Sequence, residues 1–365
     1  MNSLERVHTV LGGQLPDRLP ICLLSFQNAA RFAGMSVREY CRNGKCMAEA
    51  QVAYWEEFRH DIIDLENGVA AMAEAVGCVV EYPENEPPWI VKPALDSLNN
   101  VDELPDVDPF KSPSLAEFIK ATGIVAKKLG KTVCIRAESD QGPFSLAAEV
   151  VGTERFLMAL RDPEQNENVH RLLAYAEDQI IKLARAQIEA GSHYTMIGDS
   201  LAGPDVCSPE DYRGYAFPYE RSLIRRLKDE GIGMGIHICG NATAIVNDMV
   251  ATGALYFELD HKIDRDRVRR KTDGRVTLFG TVDPSGILCM GSLEEVEEKT
   301  REDIQLLGRN GRYVLSPGCT LPYSTPFENV RALVEAGRQY GRYGKNGGLV
   351  SIPDRENLSI LSPDR

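Results

Sequence analysis

The sequence of 365 residues lacks any apolar run of about 18 residues, the length that a membrane-spanning helix requires. It also has fewer basic than acidic residues, 41 Lys and Arg against 54 Asp and Glu. The resulting net charge of −13 argues against nucleic acid or an anionic membrane surface as the main partner. The first residues, MNSLERVHTVLGG, show no signal-peptide pattern, and we therefore expect a soluble cytoplasmic protein.

Two common cofactor and stabilisation patterns are missing as well. The nine cysteines are an odd number scattered along the whole chain, which indicates reduced thiols rather than a disulfide framework. No glycine-rich phosphate loop leads from a strand into a helix, and no G-x-G-x-x-G motif opens one. The absence of both glycine-rich motifs argues against a nucleotide site.

Short apolar and β-branched runs alternate with longer helical segments. Eight such runs are predicted as strands, at residues 20–25, 61–66, 132–139, 194–200, 234–240, 256–260, 276–283 and 313–319. Capping signals begin the segments between them, as at Ser292 with Glu295. Strand–helix alternation repeated eight times predicts an α/β fold, a single (β/α)8 TIM barrel over residues 1–344.

Three segments depart from this regular alternation. An N-terminal helical extension precedes the first predicted strand. The proline-rich and acidic residues between 67 and 113 predict an insertion after the second strand. The tail, residues 345–365, shows no clear period, and we expect it to be loosely structured.

Polar residues gather where the predicted strands end, which is where active sites of such barrels lie. Residues i and i+2 of a strand share a face, so His237 and Cys239 are expected to point to the same side. Cys319 ends strand eight, and Glu258 lies on the strand next to that of His237. An imidazole, two thiolates and a carboxylate form a four-coordinate set that suits zinc. The alternative is that His237 and Cys239 are ordinary residues of a buried strand.

Two aspartates at neighbouring strand ends, Asp199 and Asp260, are candidate catalytic residues. Either one is placed to accept a proton or to orient a substrate. The alternative for each is a hydrogen bond to backbone amides at the end of the barrel.

Three segments near the carboxyl-terminal half resemble a known family: HICGN (237–241), GTVDP (280–284) and LSPGC (315–319). Together they resemble the uroporphyrinogen decarboxylase superfamily, and more closely its zinc-containing, corrinoid-dependent methyltransferase branch. The resemblance covers nearly the whole chain. The decarboxylases carry Arg-Gln-Ala-Gly-Arg after the first strand, whereas this chain has SFQNAAR at 25–31. That departure argues against a porphyrin substrate.

The resemblance implies zinc held by His237, Cys239 and Cys319. More distant barrel relatives, the cobalamin-independent methionine synthases, add a glutamate between the two cysteines, which supports Glu258 as the fourth ligand. The branch also implies methyl transfer between a small substrate and the cobalt of a corrinoid. Because the sequence has no Asp-x-His-x-x-Gly cobalamin motif, a partner corrinoid protein must carry that cofactor. The N-terminal helix and the insertion after strand two are candidate docking elements.

Three functions follow from these patterns. The first is a zinc methyltransferase acting with a corrinoid protein, on a methyl donor such as a methoxylated aromatic or on a thiol acceptor such as coenzyme M. The second is a metal-free decarboxylase-like enzyme for a cyclic carboxylated substrate. The third is a zinc-storing or corrinoid-handling protein without turnover.

Overall fold

Helices and parallel strands alternate along the chain in the computed structural model, which describes residues 1–344 and 346–350. The strands are β1 (Ile62–Leu65), β2 (Val79–Glu81), β3 (Trp89–Lys92), β4 (Cys134–Ala137), β5 (Thr195–Gly198), β6 (Met234–Ile238), β7 (Tyr256–Leu259), β8 (Thr277–Val282) and β9 (Tyr313–Pro317). Seven of the eight predicted strands are therefore present, each within its predicted range.

The helices lie before, between and after these strands. They are α1 (Ser3–Leu11), α2 (Phe26–Phe32), α3 (Val37–Arg42), α4 (Gly44–Phe58), α5 (Ala71–Ala75), α6 (Pro113–Leu129), α7 (Pro143–Val151), α8 (Thr153–Ala159), α9 (Asn166–Glu189), α10 (Pro209–Asp211), α11 (Phe217–Asp229), α12 (Val246–Thr252), α13 (Arg265–Thr272), α14 (Leu293–Leu307) and α15 (Phe327–Tyr340). The predicted α/β class is confirmed.

The strands form two parallel sheets instead of one continuous barrel. Strands β5 to β9 pair in chain order, and β1 pairs with β4. Isolated parallel bridges connect the two sheets. On one side they join Arg136 to Tyr194 and Gln141 to Gly198, and on the other they join Ile21 to Leu315 and Cys22 to Ile62. Within the described residues, the predicted closed eight-stranded sheet is therefore not continuous.

One of the two interruptions lies between β4 and β5, and the other lies at the first predicted strand, residues 20–25. Pro20 has no backbone N–H to donate to a ladder. The N–H of Ile21 donates to the Asp61 carboxylate at 2.9 Å, so a side chain replaces the neighbouring strand as its acceptor. The prediction of a full strand here is wrong, although the segment still lies between β9 and β1.

Parallel sheets covered on both faces need apolar strands, and every residue of β6, β7, β8 and β9 is buried. Helix α1, the predicted N-terminal extension, begins at an Asn2–Glu5 capping box. Its residues bond to Thr132 and Thr277, just before β4 and at the start of β8. It therefore covers the amino ends of the strands, which removes it from the candidates for docking at the carboxyl ends.

The predicted insertion after β1 holds helix α5 and the antiparallel β2–β3 hairpin. Most of the predicted C-terminal tail, residue 345 and residues 351–365, lies outside the described residues. Within the described part, Tyr343 forms an antiparallel bridge with Leu349. No described helix is both long and apolar enough to cross a membrane.

Candidate metal centre

His237, Cys239 and Cys319 converge at the carboxyl ends of the strands. Their ligand atoms all lie within 4.8 Å of one another. The His237 Nε2 atom is 2.9 Å from the Cys239 sulfur, and the two sulfurs are 3.8 Å apart. The structure thus brings together the three residues that the sequence predicted.

The strand register explains this convergence. His237 on β6 pairs with Glu258 on β7, and the two-residue step to Cys239 keeps both side chains on one face. After Cys239, Gly240 adopts a φ of 79°, which turns the chain away from the strand direction. Cys319 follows β9 by two residues, and the Gly318 N–H bonds to the Val282 carbonyl at the end of β8.

Each member of the cluster alters the charge of the others. The Cys319 hydrogen bond, together with the charge of His237, lowers the pKa of the Cys239 thiol to about 3 although burial opposes this change. The same contact and burial raise the pKa of Cys319 well above its usual value. Burial disfavours the charged imidazole, but Cys239 and Glu258 raise the pKa of His237 to about 9. Without metal, the cluster therefore favours a thiolate beside an imidazolium, and a metal ion bound there would take the place of the imidazolium proton.

The donor set fits zinc, as does the separation of the two sulfurs. Thiolate and imidazole are its usual ligands, and sulfurs at ~2.3 Å from a tetrahedral zinc lie ~3.8 Å apart. The Cys239–Cys319 separation of 3.8 Å matches that edge of the tetrahedron. The Nδ1 of His237 donates to the Glu258 carbonyl at 3.1 Å, which leaves Nε2 facing the sulfurs.

Glu258 occupies a different position from the three other predicted ligands. Its Oε1 lies 3.5 Å from His237 Nδ1, and its Oε2 accepts a hydrogen bond from Arg136 at 2.8 Å. Arg136 also bonds Asp64 at 2.6 Å and is 1% exposed, so one buried guanidinium serves two carboxylates. Glu258 therefore lies beside the cluster and holds its histidine, and its role as a metal ligand stays a prediction.

A cavity of about 250 Å³ opens onto the cluster. Its lining residues are Phe26, Gln27, Glu66, Gly68, Val69, Pro87, Glu138, Gln141, Met196, Gly198, Ser200, His237, Cys239, Glu258, Cys319 and Thr320. Pro87 belongs to the turn of the β2–β3 hairpin, so the predicted insertion reaches the cavity.

The candidate site residues chosen from the sequence did not include Glu66 and Glu138. Burial and the charge of Asp64 raise the pKa of Glu66 to about 8, and burial raises that of Glu138 well above its usual value. Asp64 pairs with Arg136 in the β1–β4 register, and Glu66 and Glu138 each follow two residues later. This equal spacing on two neighbouring strands was the sequence signal for their meeting.

The two predicted catalytic aspartates bond to backbone and do not line this cavity. The Asp199 carboxylate accepts from the amides of Ser145 at 2.7 Å and Phe144 at 3.3 Å, in the first turn of α7. Asp260 accepts from the Gly240 amide at 2.8 Å and lies 2.8 Å from the His261 ring. The alternative stated for each residue, bonding to backbone amides, describes these contacts.

The chain is similar over most of its length to known methyltransferases and decarboxylases. Methylcobamide:CoM methyltransferase MtbA of Methanosarcina acetivorans is 28% identical over 350 residues, which cover 92% of this chain and 97% of that protein. Uroporphyrinogen decarboxylase of Pseudoalteromonas atlantica is 26% identical over 365 residues, covering 93% and 98%. The structure of a methyltransferase from Methanosarcina mazei superposes with a TM-score of 0.82 at 22% identity, over 93% of this chain and 99% of that chain.

At 22% identity, the similarity to this methyltransferase structure supports the fold alone. The family model for uroporphyrinogen decarboxylase (URO-D) matches residues 2–340, nearly the whole described chain. The chain belongs to the uroporphyrinogen decarboxylase (URO-D) family.

Proposed function

We propose that the protein transfers a methyl group between a small molecule and the cobalt of a corrinoid carried by a partner protein. The observation that carries this proposal is the meeting of His237, Cys239 and Cys319 at a cavity, with sulfurs spaced as in a tetrahedral zinc site. Relatives named methylcobamide:CoM methyltransferase support the same reaction class.

A zinc ion bound there supplies Lewis-acid chemistry, which stabilises a thiolate nucleophile or a departing alkoxide. The chain's residues hold and orient that centre. The Glu258 carbonyl fixes the His237 ring by accepting its Nδ1 proton, and the Glu258 carboxylate lies 3.5 Å from the same atom. Glu258 is also the proposed fourth ligand. In that role its carboxylate would give up the hydrogen bond from Arg136 and bind the metal instead.

The corrinoid must approach from outside. A cavity of about 250 Å³ is below the usual size of drug-sized ligand sites, and a corrin macrocycle is larger still. We propose that the two sheets and the isolated bridges between them form an interrupted (β/α)8 barrel, and that a corrinoid protein docks at its carboxyl-end mouth. The β2–β3 hairpin, with Pro87 at the cavity, is the candidate docking element.

The decarboxylase alternative is less well supported by the cavity. The described residues that line it include Glu66, Glu138 and Glu258 but no lysine or arginine. Arg31 is committed elsewhere, with its guanidinium 4.2 Å from the Phe327 ring and bonded to the Thr325 carbonyl. Substrate carboxylates would thus meet three glutamates and no lysine or arginine among the described lining residues, with His237 as the one basic side chain.

The test is methyl transfer by zinc-loaded protein, with methylcobalamin or a methylated corrinoid protein as donor and thiols as acceptors. The reverse assay uses methoxylated aromatics with reduced corrinoid protein. We expect Cys239→Ala to slow transfer by roughly two to three orders of magnitude, because a Lewis acid contributes several kcal/mol to such a step. Cys289→Ala, a thiol that contacts Ser324 and lies outside the cavity lining, is the matched control and should retain the rate.

Equal rates in the wild type and Cys239→Ala would contradict the proposal. Zinc binding without transfer in either direction would favour the storage or chaperone function instead. Turnover of a carboxylated cyclic substrate that survives in Cys239→Ala would favour the decarboxylase.

A further inference from the structure

A second cluster, the carboxylate wall, is formed by Asp64, Glu66 and Glu138. Its members are buried, and their nearest oxygens lie within 4.8 Å of one another. Glu66 and Glu138 line the same cavity as the metal ligands, whereas Asp64 bonds Arg136 beneath it. The cavity therefore has a sulfur–imidazole side and a carboxylate side.

The residues around this wall do not supply enough positive charge to balance all of its carboxyl groups in ionised form. Arg136 is the one guanidinium that bonds to these carboxylates within the described chain, and it already serves Asp64 and Glu258. Four buried carboxyl groups thus share a single buried guanidinium, and burial raises the pKa of Glu66 and Glu138, so both resist ionisation until a counter-charge is near them. Ionised carboxylates away from water need a counter-charge or a full set of hydrogen bonds, and each ion left without them costs several kcal/mol.

Glu138 shows this shortage most clearly. It is 6% exposed and lines the cavity, and no described residue donates a hydrogen bond to its carboxylate. Glu66 receives one, from the Thr320 hydroxyl at 3.0 Å. Apart from these glutamates, Glu258 and the sulfur–imidazole cluster, the described residues that line the cavity are apolar or neutral, and they include Phe26 and Gln141. Two carboxylates and an aromatic ring are the groups that bind ammonium ions, including quaternary ones.

We infer that the small molecule reacting at the metal centre carries a cationic group, which Glu66 and Glu138 bind on the opposite side of the cavity. This inference rests on the proposed function and names its substrate class: a short thiol with an ammonium group, or the corresponding methyl thioether. An anionic thiol such as a mercaptoalkane sulfonate is disfavoured, because its charge faces the carboxylates.

The reaction balances for such a substrate. In the direction of thiol methylation, the thiol loses its proton to solvent and its sulfur forms a bond to the methyl carbon. The cobalt–carbon bond breaks, and its electron pair stays on the metal as cobalt(I). The ammonium group takes no part in bond making, and its role is to orient the sulfur towards Cys239 and Cys319.

Two nearly isosteric thiols of opposite charge test the inference. Thiocholine and 2-mercaptoethanesulfonate share a two-carbon thiol and differ in ending with a trimethylammonium or a sulfonate group, while 2-mercaptoethanol is the neutral reference. The trimethylated nitrogen cannot ligate zinc. Calorimetric binding to the zinc-loaded protein should give thiocholine at least a tenfold lower Kd than 2-mercaptoethanesulfonate, with kcat/KM for methylation following the same order.

The variant Glu138→Gln should reduce the preference for thiocholine to within about threefold, since the amide has the shape of the carboxylate without its charge. Glu49→Gln is the control, because Glu49 is exposed and forms an ion pair with Lys45 on α4. It should keep the full preference.

The two proposals fail in different ways. Tighter binding of the sulfonate, equal binding of the two charged thiols, or a preference that survives in Glu138→Gln overturns the charge inference even when methyl transfer occurs. Selective binding of thiocholine without methyl transfer upholds the inference and overturns the proposed methylation of a thiol.

Discussion

The two sides of the cavity differ in how their polar groups are partnered. On one side, His237, Cys239 and Cys319 partner one another, at 2.9 and 3.8 Å, and their donor atoms are of the types that a soft metal ion binds. On the other, Glu66 and Glu138 have almost no donors. The difference agrees with the two proposals, in which the first side holds a resident metal and the second receives the cationic group of a molecule that enters and leaves.

The largest effect is expected at Arg136, which joins the two sides. Removing one partner of a buried ion pair typically costs about 3–5 kcal/mol, because it leaves an uncompensated charge. Arg136→Met should lower the free energy of unfolding by that amount in urea titrations of the zinc-free protein. The control Arg185→Met, at a half-exposed pair with Glu230, should cost about 1 kcal/mol or less. Equal costs would mean that Arg136 does not balance the buried carboxylates.

The next largest effect is expected on the zinc affinity of the sulfur–imidazole side. Residues that orient a metal-bound histidine are typically worth about 10–100-fold in metal affinity. Glu258→Gln keeps the backbone carbonyl that holds His237, so a loss in this range, measured by competition with a chromophoric chelator, isolates the carboxylate. Glu177→Gln, at a bond to Ser222 away from the cavity, is the control. Unchanged zinc affinity would argue against Glu258 both as a ligand and as an orienting group.

The carboxylate side predicts a pH dependence of opposite sign to ordinary acid denaturation. The pKa of Glu66 is raised from 4.5 to about 8 in the folded protein, mainly by burial, so the native state holds a proton that the unfolded state releases above pH 4.5. Stability should therefore fall as pH rises from about 4.5 to 8, by roughly 1 kcal/mol per pH unit.

The variant Glu66→Gln tests this dependence. Urea titrations of zinc-free protein at several pH values should show a flatter profile for the variant and a smaller loss on the alkaline side. A wild-type stability that rises across this window, or an identical slope in the variant, would show that Glu66 is not the group responsible.

The smallest effect is expected at Asp199, outside both clusters. Its carboxylate receives the Ser145 and Phe144 amides at the start of α7, as a capping residue does. Asp199→Ala should lower the free energy of unfolding by about 1 kcal/mol, the usual cost of a lost helix cap. A catalytic acid or base contributes about 10²–10⁴-fold to the rate, so a fall in kcat of that size in the folded variant would instead support its predicted catalytic role.

The sequence was sufficient to predict the α/β class and the meeting of three residues. Strand periodicity places His237 and Cys239 on one face, and parallel strands bring Cys319 to the same end. It was not sufficient for contacts that depend on side-chain direction. That the Glu258 carboxylate meets Arg136, and that Asp61 accepts from Ile21 and interrupts the first strand, follows from packing between elements far apart in the chain.

The meeting of Glu66 and Glu138 on the carboxylate side could have been predicted if the pairing of β1 with β4 had been known. Asp64 and Arg136 are paired in register, so the acidic residues two positions later on both strands had to be neighbours. The pairing of β1 with β4 across a long insertion was the missing step, because sequence alone does not identify which strands are adjacent.

The central claim is that the sulfur–imidazole side holds a metal ion. Its most direct test is the zinc content, by plasma mass spectrometry, of protein purified without a histidine tag, beside Cys319→Ala and Glu138→Gln. We predict about one zinc per chain in the wild type and in Glu138→Gln, and little in Cys319→Ala. No zinc in the wild type after reconstitution, or equal zinc in Cys319→Ala, would contradict the claim.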